Sequence, residues 1–214
     1  MGAVREWNMK AAFLAASAAI LMAGSAQAAT TIGGYTITSS ATSLIQSSGV
    51  YATLGGPLAT VLTDVDEETY ALSYDPSAFL RLGFASGILN DSGNDFVLFA
   101  LGQPNSFSVT INSVTVLRPS LFTGFTTSLV APAEVPVDLY AAVFDLSDFG
   151  ISTGSSVSQI RIGNSVDGPI LSLAGVLNTA VVPEPSTWML MIMGFGLIAQ
   201  QLRRRHRGVA QVAA

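Results

Sequence analysis

Side chains able to move a proton or hold an ion are few in this 214-residue chain, and their types narrow the chemistry. There is no cysteine, so neither a disulfide nor a thiolate metal site can form. The single histidine, His206, lies in a basic cluster near the C-terminus, which removes histidine triads and His-ligated zinc from consideration. Carboxylates remain. Asp64-Val65-Asp66-Glu67-Glu68 is the densest acidic run. Glycoside hydrolysis needs two carboxylates flanking the scissile bond, whereas acids this crowded beside Tyr70 are expected as a solvated loop. Asn90-Asp91-Ser92-Gly93-Asn94-Asp95 packs oxygen ligands around a glycine, as calcium loops do, with Asp91, Asn94 and Asp95 the candidate ligands. It lacks the spacing and the closing bidentate Glu of an EF-hand. Asn, Asp and Gly also favour turns for their own backbone reasons, so a turn that needs no cofactor is the expectation and calcium the alternative. Asp145-Leu146-Ser147-Asp148 is expected to cap a short helical turn at Phe149. The abundant Ser and Thr come with no Gly-x-Ser-x-Gly elbow, and the glycine pairs with no Gly-Lys-Ser/Thr phosphate loop. Five tyrosines, at 35, 51, 70, 74 and 140, would make a sugar-stacking platform if they shared a surface.

Charge is unevenly spread. Between Ala29 and Val182 the cations are Arg81, Arg118 and Arg161 alone, against twelve Asp and Glu, a net of −9. Such a segment repels phosphate backbones and excludes a nucleic-acid partner, while suiting a divalent cation or a neutral glycan.

The last thirty residues have a different character. Val182-Pro183-Glu184-Pro185-Ser186-Thr187-Trp188 is followed by an apolar run to Ala199 and by the basic cluster Arg203, Arg204, Arg205, His206 and Arg207. Pro183 and Pro185 disfavour helix at the residues before them, which holds Glu184 in extended backbone that a processing enzyme can grip. A helix over 187–202 would rise about 24 Å, short for a bilayer core of about 30 Å but able to span it with help at both ends. Trp188 suits one interface and the arginines the other, where they act as a membrane stop. Positive charge stays on the cytoplasmic side, so everything before Pro183 is expected outside.

The Pro183-Glu184-Pro185 element, Trp188, Gly194-Phe195-Gly196 and the arginine stop resemble the PEP-CTERM family in its PEPxxWA variant. The resemblance implies a precursor in the inner membrane of a Gram-negative bacterium. There a membrane-embedded cysteine transpeptidase of the exosortase system recognises the tail, and the processed protein goes to the cell surface or extracellular matrix. The nucleophile then belongs to that enzyme. Exopolysaccharide is the implied associate. Residues 80–178 resemble a sandwich core found in PEP-CTERM surface proteins. The likeness runs through Leu82-Gly83-Phe84, Asn90 to Gly102, Phe107 to Ile111, Phe144 to Gly150 and Leu173 to Leu177, and implies a galactose-binding-like jelly-roll. The chain departs from that pattern at Ala100, where related sequences often carry an acid after the aromatic, which puts any site built on that carboxylate in doubt.

The N-terminus agrees with export. Lys10 precedes the apolar stretch Ala11 to Ala23 and then Ala26-Gln27-Ala28, a signal peptide over 1–28 with cleavage after Ala28. Met9-Lys10 looks like the natural start of such a peptide.

The elements that must position the remaining residues are strands. Tyr70, Leu72 and Tyr74 alternate with small or polar residues, as do Leu80, Leu82 and Phe84, and Phe107, Val109 and Ile111. Val114 and Val116 resume after Asn112-Ser113, which predicts a tight hairpin. The continuous run Phe96 to Leu101 predicts a strand covered on both faces. Further strands are expected at 34–38, 50–54, 137–144, 157–162 and 170–173. The reading is an all-β antiparallel sandwich over 29–180, a sorting signal over 181–207 containing the single transmembrane helix, and a disordered tail over 208–214. Its expected function is that of a non-catalytic, exopolysaccharide-associated surface or matrix protein. A carbohydrate-binding module is the alternative, and a carboxylate-dependent glycoside hydrolase stands behind it.

Overall fold

Alternating apolar and polar residues let a strand bury one face and hydrate the other, and the chain repeats that pattern at short intervals. The computed structural model describes residues 29–130, 136–163 and 170–178. In chain order the elements begin with β1 (Thr30–Ile32), β2 (Tyr35–Ile37), β3 (Ser39–Ser40), β4 (Ser43–Ser48) and β5 (Ala52–Leu54). A single helical turn, α1 (Leu58–Val61), precedes β6 (Tyr70–Leu72), β7 (Phe79–Leu89), β8 (Phe96–Leu101), β9 (Ser106–Ile111) and β10 (Val114–Pro119). Then come β11 (Leu121–Val130), β12 (Pro136–Phe144), a 3-10 turn (Leu146–Phe149), β13 (Ser156–Gly163) and β14 (Ile170–Val176). Among the described residues no helix is long and apolar enough to cross a membrane. The expected signal peptide, membrane helix, basic cluster and 208–214 tail lie outside the described residues.

Two antiparallel sheets carry the fold. One has the order β10-β9-β13-β7-β4; the other runs β11-β12-β8-β14-β6-β5, with β3 also pairing β14. The core between them is built from the inward residues of both sheets, among them Leu80, Leu82, Phe107, Val109, Ile160 and Ile162 from the first. Phe96, Phe144 and Phe149 meet there, the first two stacked at 4.9 Å.

Strand β8 has cover on both sides, as its unbroken apolar run predicts. Phe96, Leu98 and Ala100 face the core between the sheets, while Val97, Phe99 and Leu101 belong to a second cluster with Ile32 and Ile37 of the β1–β2 hairpin. That hairpin sits close. A Cβ on Gly175 would lie 2.6 Å from Ile37 Cδ1, and Gly33, at φ +56°, would place one 3.2 Å from the Phe99 ring. Ala100 is wholly buried, so an acid there would enter the core.

The Asn112-Ser113 turn forms as expected. Both residues have positive φ (48° and 69°), the conformation of the two-residue turn whose twist matches paired strands, and Ile111 pairs with Val114. Other expectations need correction. Strands β1, β3, β4 and β11 carry too little alternation to be read from the sequence. Tyr74 lies beyond β6 and is 82% exposed.

Candidate functional site

The Asn90–Asp95 segment is a turn anchored by its last residue. Asp95 is completely buried. Its Oδ1 accepts from the Asp91 amide (3.0 Å) and Asn178 Nδ2 (3.1 Å), and its Oδ2 from the Leu146 amide (2.8 Å). One carboxylate thus joins the β7–β8 turn, the 3-10 turn and the end of β14. Asp91 is exposed and its Oδ1 accepts from the Ser92 amide at 2.8 Å. Asn94 contributes its carbonyl to Asn178 Nδ2 at 3.3 Å. Among the described residues no group of three or more Asp, Glu, His or Cys is arranged to hold a metal ion.

The acidic run is not the freely solvated loop expected. Asp64, Glu67 and Glu68 are half-buried, and the segment is tied down at several points. Asp64 Oδ1 accepts from Thr69 Oγ1 (3.0 Å), Asp66 Oδ1 from the Glu68 amide (2.9 Å), and Glu68 Oε1 from the Ser128 amide on β11 (2.9 Å). Ser172 Oγ of β14 donates to the Glu67 carbonyl at 2.8 Å. Burial pushes the Asp64 carboxyl above its usual value, opposed by the Thr69 hydrogen bond. The loop braces the face of the seven-stranded sheet, with the Asp64, Asp66 and Glu68 carboxylates engaged by backbone and hydroxyl donors.

Asp145 caps the 3-10 turn, its side chain accepting from the Ser147 amide at 2.7 Å, as the spacing predicts. Asp148 pairs with Arg118 of β10 at 2.6 Å. The five tyrosines do not gather on one surface. Tyr51 and Tyr140 pack on the core between the sheets, Tyr35 and Tyr70 on the second cluster, and Tyr74 stands in a loop. Burial pushes the Tyr51 hydroxyl up to about 12, helped by the charge of Asp75 and opposed by that of Arg161.

A feature the sequence reading missed lies on the outer face of the five-stranded sheet. Because Leu80, Leu82, Ile160, Ile162, Val109 and Ile111 point into the core, their neighbours Arg81, Arg161 and Thr110 point out. Pairing places Gln46, Arg81, Arg161, Thr110 and Thr115 in one row across all five strands. A concavity of about 450 Å³ opens over this row, lined by both arginines and by Thr110, Asn112, Ser156 and Gln159. The Arg161 guanidinium stands 4.1 Å from the centre of the Phe79 ring. The alternation in each strand was legible and gave the outward face. The adjacency of Arg81 and Arg161 needed the strand order.

The residues expected to govern sorting lie outside the described residues: Pro183, Glu184, Pro185 and Trp188, the stop Arg203, Arg204, Arg205 and Arg207, and the cleavage pair Ala26 and Ala28. For the tail the comparison with known proteins supplies the finding. Residues 181–207 match the family model of the PEP-CTERM protein-sorting motif. The match covers the tail and none of the sandwich. The motif implies an exported, membrane-anchored precursor that an exosortase-type membrane enzyme processes for the cell surface. Comparison with curated proteins and with solved structures finds no match.

Proposed function

We propose that this chain is a non-catalytic surface or matrix protein whose sandwich is delivered by its tail and associates with exopolysaccharide. The observation that carries the reading is the sorting motif at residues 181–207. In this account a signal peptide over 1–28 starts export and a single helix over 187–202 holds the precursor in the inner membrane of a Gram-negative cell. Glu184, held extended between two prolines, is the recognition element. The sandwich is of the galactose-binding-like jelly-roll kind and works without a cofactor. What supports a non-catalytic domain is the way its acids are used. Asp95 anchors three segments, Asp145 caps a turn, Asp148 holds an arginine and Glu68 ties a loop to β11.

Glu184→Ala tests the sorting role. The variant should be exported normally but retain its tail and accumulate in the inner membrane, as read by fractionation and mass spectrometry of its C-terminus. Normal maturation and surface delivery of the variant would refute Glu184 as the recognition element. A carbohydrate-binding module is the second reading, favoured by the polar concavity over Arg81 and Arg161.

A further inference from the structure

We infer that the outer face of the five-stranded sheet binds a carboxylate-bearing polysaccharide, of the polyuronate kind, through Arg81 and Arg161. The inference rests on the exopolysaccharide reading and assigns it a site and a ligand charge. Its first support is the distribution of charge. The strands of this sheet contain all three arginines found between Ala29 and Val182 and no acidic residue. Among the described residues every carboxylate lies in a loop or turn, except that of Asp138 on β12 of the seven-stranded sheet. In a domain that is acidic overall, the strands of this one sheet therefore carry only positive charge.

The second support is the pairing of the two guanidinium groups. Arg81 and Arg161 are direct cross-strand partners, an arrangement in which like charges repel and weaken the sheet. The third arginine of the sheet, Arg118, is neutralised by Asp148. Among the described residues Arg81 and Arg161 form no ion pair and no side-chain hydrogen bond. Each is half-buried, so its planar fork of donors is presented at the floor of the concavity without being lost in the core. Phe79 under Arg161 fixes the plane of that fork, which lowers the entropy lost when a ligand docks.

Ligand class follows from geometry. A guanidinium matches a carboxylate with two parallel hydrogen bonds. Adjacent strands about 4.8 Å apart set the two arginines close enough to grip one acidic residue of a chain laid across them. Gln46, Thr110, Asn112 and Gln159 supply neutral donors and acceptors for hydroxyl groups on the same face. A nucleic acid is disfavoured, because two cations in a domain of net −9 are too few against a phosphate polymer. The remote acids do not forbid a local anion site. At physiological ionic strength their field is screened over about 8 Å, whereas contact pairs keep their strength.

The test is affinity electrophoresis of the full chain in detergent through gels holding polygalacturonate, its methyl ester or dextran sulfate. The acid polymer should retard the protein, the ester should not, and dextran sulfate should act more weakly because it lacks the planar carboxylate. Arg81→Gln/Arg161→Gln should weaken polygalacturonate binding about tenfold or more. Arg118→Gln should leave it unchanged. Undiminished binding by the double variant would overturn the site. Equal retardation by acid and ester, or by dextran sulfate and polygalacturonate, would overturn the carboxylate class while sparing the exopolysaccharide reading. Failure of the unaltered protein to bind any of the three would overturn the site and its ligand class, leaving standing the reading that the sorting motif carries. The comparison of acid with ester needs no variant, so it holds even if a substitution impairs folding.

Discussion

A buried carboxylate with no cation beside it must be held by donors, and Asp95 has two amides and one side-chain amide. Removing the acceptor leaves those donors without their partner at about 1–3 kcal/mol each, less wherever water can reach them. Asp95→Ala should therefore destabilise the protein by about 3 kcal/mol. Asp91→Ala, which loses only a bond to the next residue, should cost about 0.5 kcal/mol or less. Denaturant melts of both variants check this. Chelator should leave the melting temperature of the unaltered protein where it is. A drop of many degrees restored by calcium would show that the loop holds an ion, since a ligand bound only to the folded state raises stability. The turn itself was legible, because Asn, Asp and Gly carry their turn preference locally. That Asp95 reaches Leu146 and Asn178 was not, since neither is near in sequence.

At the scale of elements the clearest case is the β9–β10 hairpin. Both turn residues are left-handed, and only one, Asn112, is of a type that adopts this conformation with ease. Ser113 at φ 69° stores strain of roughly 1–2 kcal/mol, whereas glycine there loses about 0.5–1 kcal/mol of chain entropy on folding. Ser113→Gly should therefore stabilise the protein by about 0.5–1 kcal/mol, seen as a higher denaturant midpoint with an unchanged slope. Strand β11 is the opposite case. It lies at the edge of the larger sheet, carries Gly124 at φ +85° and two register breaks, and leaves Leu121, Phe122 and Phe125 exposed. A strand that buries so little of either face has no period for the sequence to display.

At the scale of the whole molecule, charge is unevenly divided. Among the described residues the strands of the five-stranded sheet hold arginines and no acid, while the carboxylates lie almost wholly in loops and turns, where backbone amides, hydroxyls and one arginine engage several of them. A carboxylate acting as general acid needs its pKa raised and a second carboxylate facing it across a substrate. Burial raises Asp64, but its contacts are Thr69 and its own loop. The purified protein should release no reducing ends from polysaccharides and no chromophore from aryl glycosides. Reproducible turnover that disappears in Asp66→Ala would establish a hydrolase.

Two kinds of information separate cleanly in this chain. Delivery was legible without any fold, because a sorting signal is read as a linear order of prolines, apolar residues and arginines, and residues 181–207 match as such. The antiparallel sandwich was legible because alternation reports which face of a strand a side chain occupies. Alternation does not report which strand lies alongside. Register and order come from long-range pairings whose free energy is summed over both sheets. Only those pairings bring Arg81 of β7 beside Arg161 of β13, and Ser39 beside Val176. The acidic total of the chain pointed to neutral glycans or cations. The tertiary structure gathered the arginines onto one sheet and so gave the molecule a face with the opposite preference.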